Sequence, residues 1–191
     1  VLRAAAAQYA GQYDRAHGGF GPAPKFPRGH SLSLLLRTWA RGRDADTLRM
    51  VETTLDAMAA GGLQDQVGGG FHRYATDEYW LVPHFEKMLY DQALLSRAYL
   101  EAFQATGHAR HGEVARAVFA YVLRDLRDPS GAFYSAEDAG EVGREGEWYV
   151  WTPEELEKVL GREEAALIAR AYGVTPGGNF EGASILHLPR P

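Results

Sequence analysis

The chain contains no cysteine. Disulfides and thiolate metal sites are therefore excluded within it, and its order has to come from packing and polar contacts. No apolar run approaches the roughly 20 residues that a membrane-spanning helix needs, so no membrane association is expected. Basic tracts are missing too. Lys and Arg total 20 against 25 Asp and Glu, a net charge of −5, which argues against nucleic acid as a partner. The start, VLRAAAAQYAGQY, has no basic region followed by an apolar stretch and so no signal peptide. A cytoplasmic location is the expectation. The first residue is Val rather than Met, which suggests a processed chain or a fragment. HExxH is absent and the histidines lack ligand spacing, so no metal is expected. GGFG follows no strand and lacks GxGxxG spacing, so no nucleotide cofactor is expected either.

What is present is a sequence of 191 residues, 46% hydrophobic and rich in helical patterning. Helices are expected at about 1–16, 30–41 with Ser31 as N-cap, 45–60, from Pro83 to about Thr106, 109–127, 152–160 and 162–172. Pro83 suits a first helical turn because it has no N–H to lose there. TPEE, with Thr152 as cap and Glu155 three residues on, reads as a capping box. Long loops follow the first, third and fifth helices: HGGFGPAPKFPRG, GGLQDQVGGGFHRYATDEYW and DPSGAFYSAEDAGEVGREGEWYVW. Each carries Gly followed by aromatic residues, at the spacing of a two-helix unit. The pattern is a degenerate repeat of helical hairpins. Short links imply antiparallel neighbours, so all three long loops should emerge on one face. Loops beyond about 12–15 residues are often functional.

The stretch GGGFHRYATDEYWLVPHFEKMLYDQALL concentrates the chemistry. On a helical wheel at 100° per residue, His84, Lys87 and Asp91 fall within about 60° of one another. The bland alternative is an i,i+4 ion pair of Lys87 and Asp91 beside a core histidine. As catalytic candidates, His72 and His84 suit two-base proton transfer on a sugar or hydroxy-carbonyl, because imidazole exchanges protons near neutral pH. Asp65 or Asp91 would orient them, and Arg73 and Lys87 would stabilise negative charge. Trp80, Tyr90 and Phe71 are candidates for substrate contact, the aromatic rings by stacking. Glu137 and Asp138, of which at most one points inward from an extended segment, are further candidates. Paired with Asp65 they would suit glycoside hydrolysis.

At GGFGPAPKFP, GGLQDQVGGGFHRYATDEYWLVPHFEKMLYDQALL, GAFYSAEDA and EGEWYVWTPEEL the chain resembles the YyaL-type proteins, relatives of the spermatogenesis-associated thioredoxin-domain proteins. The resemblance covers nearly all of the chain. It implies an all-α fold. Helical hairpins would form about half of an (α/α)6 toroid similar to N-acylglucosamine 2-epimerases and six-hairpin glycosidases, with short β-hairpins in the long loops. Residues 1–191 would be the first three or so hairpins. An N-terminal thioredoxin-like domain and later hairpins would lie outside them. A partial toroid exposes apolar edges, which makes self-association an expectation. Two classes of function follow. One is sugar processing or sugar binding with epimerase-like proton transfer, or with glycosidase chemistry as its variant. The other is a non-catalytic scaffold that accompanies the thioredoxin-like domain.

Overall fold

A computed structural model of the chain describes residues 2–189. Seven α-helices lie among them: α1 Leu2–Gln12, α2 Gly29–Gly42, α3 Ala45–Ala60, α4 Leu89–Thr106, α5 Ala109–Tyr121, α6 Pro153–Leu160 and α7 Arg162–Tyr172. A π-helical turn, Val122–Leu126, extends α5. No helix of the described residues is long and apolar enough to cross a membrane. Six two-residue strands pair antiparallel: β1 Tyr74–Ala75 with β2 Pro83–His84, β3 Lys87–Met88 with β4 Ala136–Glu137, and β5 Val150–Trp151 with β6 Ser184–Ile185.

Helices α2 to α5 share one core. Leu32 and Leu35 of α2, Val51, Leu55 and Met58 of α3, Leu95 and Tyr99 of α4, and Val114 and Val118 of α5 are buried in it. Helix α4 packs against both α5 and α2. Helices α2 and α4 meet tightly at Gly29, where an added Cβ would lie 2.8 Å from the Leu94 carbonyl oxygen. Helices α6 and α7 pack on each other around a separate small cluster of Leu156, Ala165, Val174 and Leu186. The capping box at Thr152 and Glu155 forms as the sequence predicts.

Short links join α2 to α3 and α4 to α5, and the three long loops meet one another. Lys25 and Ala75 exchange backbone hydrogen bonds of 2.8 and 2.9 Å, tying the first loop to the second. The β3–β4 pair ties the second to the third, and β5–β6 ties the third to the segment after α7. The fold is that of helical hairpins forming about half of an α/α toroid, with its small β elements in the loops.

Two helix starts differ from the sequence expectation. Helix α2 begins at Gly29, with Arg28 in a left-handed conformation (φ 50°) at the cap position. Ser31 is no cap: it is buried, and its hydroxyl bonds Tyr9 at 2.7 Å. The larger difference is α4, which begins at Leu89 rather than Pro83. Backbone groups of 83–84 and 87–88 are taken by inter-loop pairing, so no helical turn forms there. Burial alternates instead: Pro83, Phe85 and Lys87 are buried, while His84, Glu86 and Met88 are partly exposed. The wheel that grouped His84 with Lys87 therefore does not apply, and the alternation sends them to opposite faces. The i,i+4 pair of Lys87 with Asp91 does not form either, since Lys87 pairs with Asp65.

Candidate functional site

The extended segment 83–88 divides the candidate residues into two groups. On its buried face, Lys87 is 1% exposed. Its ammonium donates to Asp65 Oδ2 at 2.8 Å and to the Gly69 carbonyl at 3.1 Å, and lies 3.9 Å from Glu137 Oε1. The rings of Tyr121 and Tyr149 flank it at 4.6 and 4.9 Å, a cation–π arrangement. Glu137 accepts from the Tyr121 hydroxyl at 2.6 Å and the Tyr149 hydroxyl at 2.7 Å. Burial, reinforced by Glu137, pushes both phenols well above their ordinary range. Asp65 also accepts from the backbone N–H groups of Val67 and Gly68, closing its turn. Burial opposes ionisation of Asp65, but Lys87 and these hydrogen bonds outweigh it and hold the carboxyl below its usual range. Asp138 points away and accepts from the Ala139 N–H at 2.7 Å.

His72 belongs to this buried group. Its Nδ1 lies 2.7 Å from the Phe85 carbonyl, which can only accept, so Nδ1 carries the proton. Burial first, and the Lys87 charge second, hold its pKa down to about 3, so the ring is neutral at physiological pH. The ring packs edge-on against Phe85 and Tyr149. Among the described residues Nε2 makes no hydrogen bond. It borders a cavity of about 250 Å³ walled by Phe85, Glu137, Trp148, Tyr149 and Trp151.

The other face is open. His84 Nδ1 lies 2.5 Å from Glu145 Oε1, and its Nε2 is 3.5 Å from Glu86 Oε2. Glu145 Oε1 also accepts from the Phe85 N–H. Arg73 donates to Glu86 at 2.9 Å, and its Nε is buried without a hydrogen-bond partner. The Tyr90 hydroxyl beside Arg73, together with Glu86, raises the pKa of the guanidinium. Asp91 stands in the first turn of α4. Burial pushes its pKa up to about 7, with Arg73 pulling the other way. Phe26, Tyr74 and His84 form a run of aromatic contacts at 4.8 and 5.2 Å. His30 and Arg37 of α2 and Tyr90, Ala93, Arg97 and Leu100 of α4 are also exposed.

The structure thus brings Asp65, His72, Lys87 and Glu137 together, and separately Arg73, His84, Tyr90 and Asp91. His72 and His84 do not share a cavity, and neither Asp65 nor Asp91 is hydrogen-bonded to either imidazole among the described residues. Trp80 and Phe71, expected to stack on a ligand, are fully buried in the core. Trp80 donates to the His17 carbonyl at 3.1 Å, and Phe71 stacks on Tyr99. Sequence reasoning missed Glu145, Glu86, Tyr121 and Tyr149 as partners. The polar–apolar alternation in PHFEKM was the available signal for two faces. Among the described residues no three His, Asp or Glu side chains are arranged to hold a metal ion.

No protein-family model matches the chain. Among curated proteins, human spermatogenesis-associated protein 20 is 46% identical across 88% of this chain and 24% of its own length. The mouse protein of the same name is 44% identical across 90% of this chain and 24% of its own. This chain therefore spans about a quarter of the length of the curated relatives it matches. Among solved structures, a sugar epimerase from a ruminal bacterium superposes with TM-score 0.64 at 16% identity, over 89% of this chain and 53% of that one. The cellobiose 2-epimerase of Bacillus thermoamylovorans gives 0.62 at 13% identity, over 72% and 40%. An α-mannanase of Bacteroides thetaiotaomicron gives 0.57 at 16% identity, over 68% and 39%. At such identities the likeness concerns the fold, and it agrees with the paired helices described above. By sequence, the chain is a homologue of spermatogenesis-associated protein 20 over about a quarter of those proteins' length, and its fold is that of an α/α toroid.

Proposed function

We propose that the open face is one wall of a sugar-handling site in which His84 is the base of an epimerase-like proton transfer. The observation that carries this is the Glu145–His84 pair at 2.5 Å. A carboxylate can only accept, so in the neutral ring Glu145 keeps the proton on Nδ1, and Nε2, 3.5 Å from Glu86 Oε2, is then the nitrogen that would accept a proton. His84 Nε2 would take the proton from the carbon next to a sugar carbonyl, leaving an enediolate. Arg73 would stabilise the oxygen charge. Asp91, held up to about 7 by burial, keeps a proton near neutral pH and would deliver it to the other face of that carbon. The aromatic run of Phe26, Tyr74 and His84 offers a stacking surface beside the reacting groups. The fold likeness to sugar epimerases supports the substrate class by analogy.

The test is solvent deuterium incorporation at C2 of free aldoses by the full-length protein. Wild type should wash in deuterium with at least one aldose of a panel. His84→Ala and Asp91→Asn should each slow this by about 10²- to 10⁴-fold, the range for losing a general base or acid. No incorporation with any aldose, or unchanged rates in both variants, would sink the proposal. A scaffold reading is favoured by one observation: the Lys87 network is saturated internally, as in a part built to hold loops in place. In that reading the toroid presents clients to a thioredoxin-like domain of the full-length protein, and deuterium incorporation is absent throughout. Glycosidase chemistry through Asp65 and Glu137 is less well supported, because Lys87, backbone N–H groups and two tyrosine hydroxyls already occupy their oxygens.

A further inference from the structure

We infer that the cavity on the buried side of segment 83–88 is a second binding site, for a small uncharged polyhydroxylated molecule that donates a hydroxyl to His72 Nε2. This site is separate from the proton-transfer site, since His84 does not border the cavity.

His72 is 2% exposed, and Nε2 is its one nitrogen without a partner among the described residues. Nε2 is not sealed from solvent, and His72 lines the cavity. A hydroxyl donated by a ligand would take the place of solvent at this acceptor. Because Nδ1 holds the ring proton, Nε2 takes a hydrogen bond from an O–H and gives none. Charged ligands fit poorly. Asp65 and Glu137 repel an anion. They offer a cation no free oxygen either, since Asp65 is taken by Lys87 and its turn and Glu137 by two tyrosines. The walls supply aromatic faces from Trp148 and Trp151. Trp148 is 55% exposed, which places it at the cavity entrance. A cavity of about 250 Å³ lies just below the usual ligand range and holds on the order of eight waters, or one molecule of monosaccharide size or smaller.

The experiment titrates the full-length protein with D-glucose, D-mannose and glycerol, each up to about 100 mM, the range for weak single-site binding. Two readouts are followed: tryptophan fluorescence, and ¹⁵N chemical shifts of labelled histidine. At least one probe should give a saturable fluorescence change and shift the His72 Nε2 resonance. Trp148→Ala and His72→Leu should weaken binding at least fivefold, while Arg49→Ala, exposed on α3 and outside the cavity lining, leaves it unchanged. Trp148 is exposed, so its variant tests the site even where His72→Leu fails to fold. The inference is overturned by the absence of any saturable response. It is also overturned by a response that His84→Ala abolishes and Trp148→Ala does not, or by an unmoved His72 resonance, which would mean that the cavity holds water only.

Discussion

Two buried lysines do much of the work of joining the loops. Lys25 donates to Asp14, to the Gly18 carbonyl and to the Glu78 carbonyl, using all three ammonium protons. Lys87 does the same job between the second and third loops. Removing one member of a buried ion pair leaves an uncompensated charge, which costs roughly 3–5 kcal/mol. Lys87→Met should therefore lower the unfolding free energy measured by urea denaturation by about that much, and adding Asp65→Asn to it should recover part of the loss. A double variant no more stable than Lys87→Met would refute the coupling. The titrating groups give opposite pH signatures. An unfolded histidine binds a proton below 6.5, whereas buried His72 waits until about 3. Between those values the unfolded state holds the extra proton, so stability falls as pH drops through the window and is unaffected above it. His72→Leu should make the acid limb of a stability–pH profile shallower. Asp91 runs the other way. Its unfolded value is 3.8 and its folded value about 7, so the folded state holds the extra proton and stability falls as pH rises through that window. Asp91→Asn should match wild type below pH 4 and exceed it at pH 8 by about 1–2 kcal/mol, after allowance for solvent screening of a partly exposed group. Equal stabilities at both ends would remove the case for a proton-holding Asp91.

At the scale of the elements, the α2–α4 contact depends on Gly29. A Cβ there meets backbone, which cannot rotate away, so Gly29→Ala should cost about 1–3 kcal/mol by overpacking. Gly42, in the last turn of the same helix, has nothing within 4 Å of its added Cβ, and Gly42→Ala should change stability by less than about 0.5 kcal/mol. Chemical denaturation of the two variants checks the contrast. The elements that were legible in the sequence are those whose cause is local. Helix α3 stands where its apolar spacing put it, and α6 starts at its capping box, since each needs only its own residues. Segment 83–88 misled because Pro83 fits a helix start and PHFEKM runs straight into true helix. Its extended form depends on pairing with residues 74–75 and 136–137, which no local pattern announces. The site was partly readable for the same reason. His72, His84, Arg73 and Lys87 lie in one dense stretch, whereas Glu145 reaches His84 from a loop 61 residues on and looks there like any solvated charge.

Across the whole molecule, packing divides unevenly, and that division predicts where the fold yields first. Helices α2 to α5 enclose one large cluster, and fully buried Tyr99 of α4 donates to the Leu55 carbonyl of α3, so local opening there disrupts many contacts at once. Helices α6 and α7 have only Leu156, Ala165, Val174 and Leu186 buried between them, the β5–β6 pair closes their base, and they join the rest through the cluster of Phe85, Ala139 and Ile185 and the Leu188 N–H donated to the Ala60 carbonyl. Val159 and Leu167 stay well exposed on this hairpin, bordering an apolar groove that also reaches Trp151 and Leu186. Opening free energies track such differences in buried apolar contact. In native-state hydrogen exchange of this chain, amides of α4 should approach the global unfolding limit, while those of α6 and α7 exchange through a cheaper, separate opening. That opening would carry Trp148, Tyr149 and Trp151 away from His72, so a ligand in the cavity should slow exchange in α6 and α7, and in α4 by the same free energy, because global unfolding also releases it. Uniform protection across all helices would mean that the small cluster is coupled to the large one, and that the cavity wall is as fixed as the core behind it.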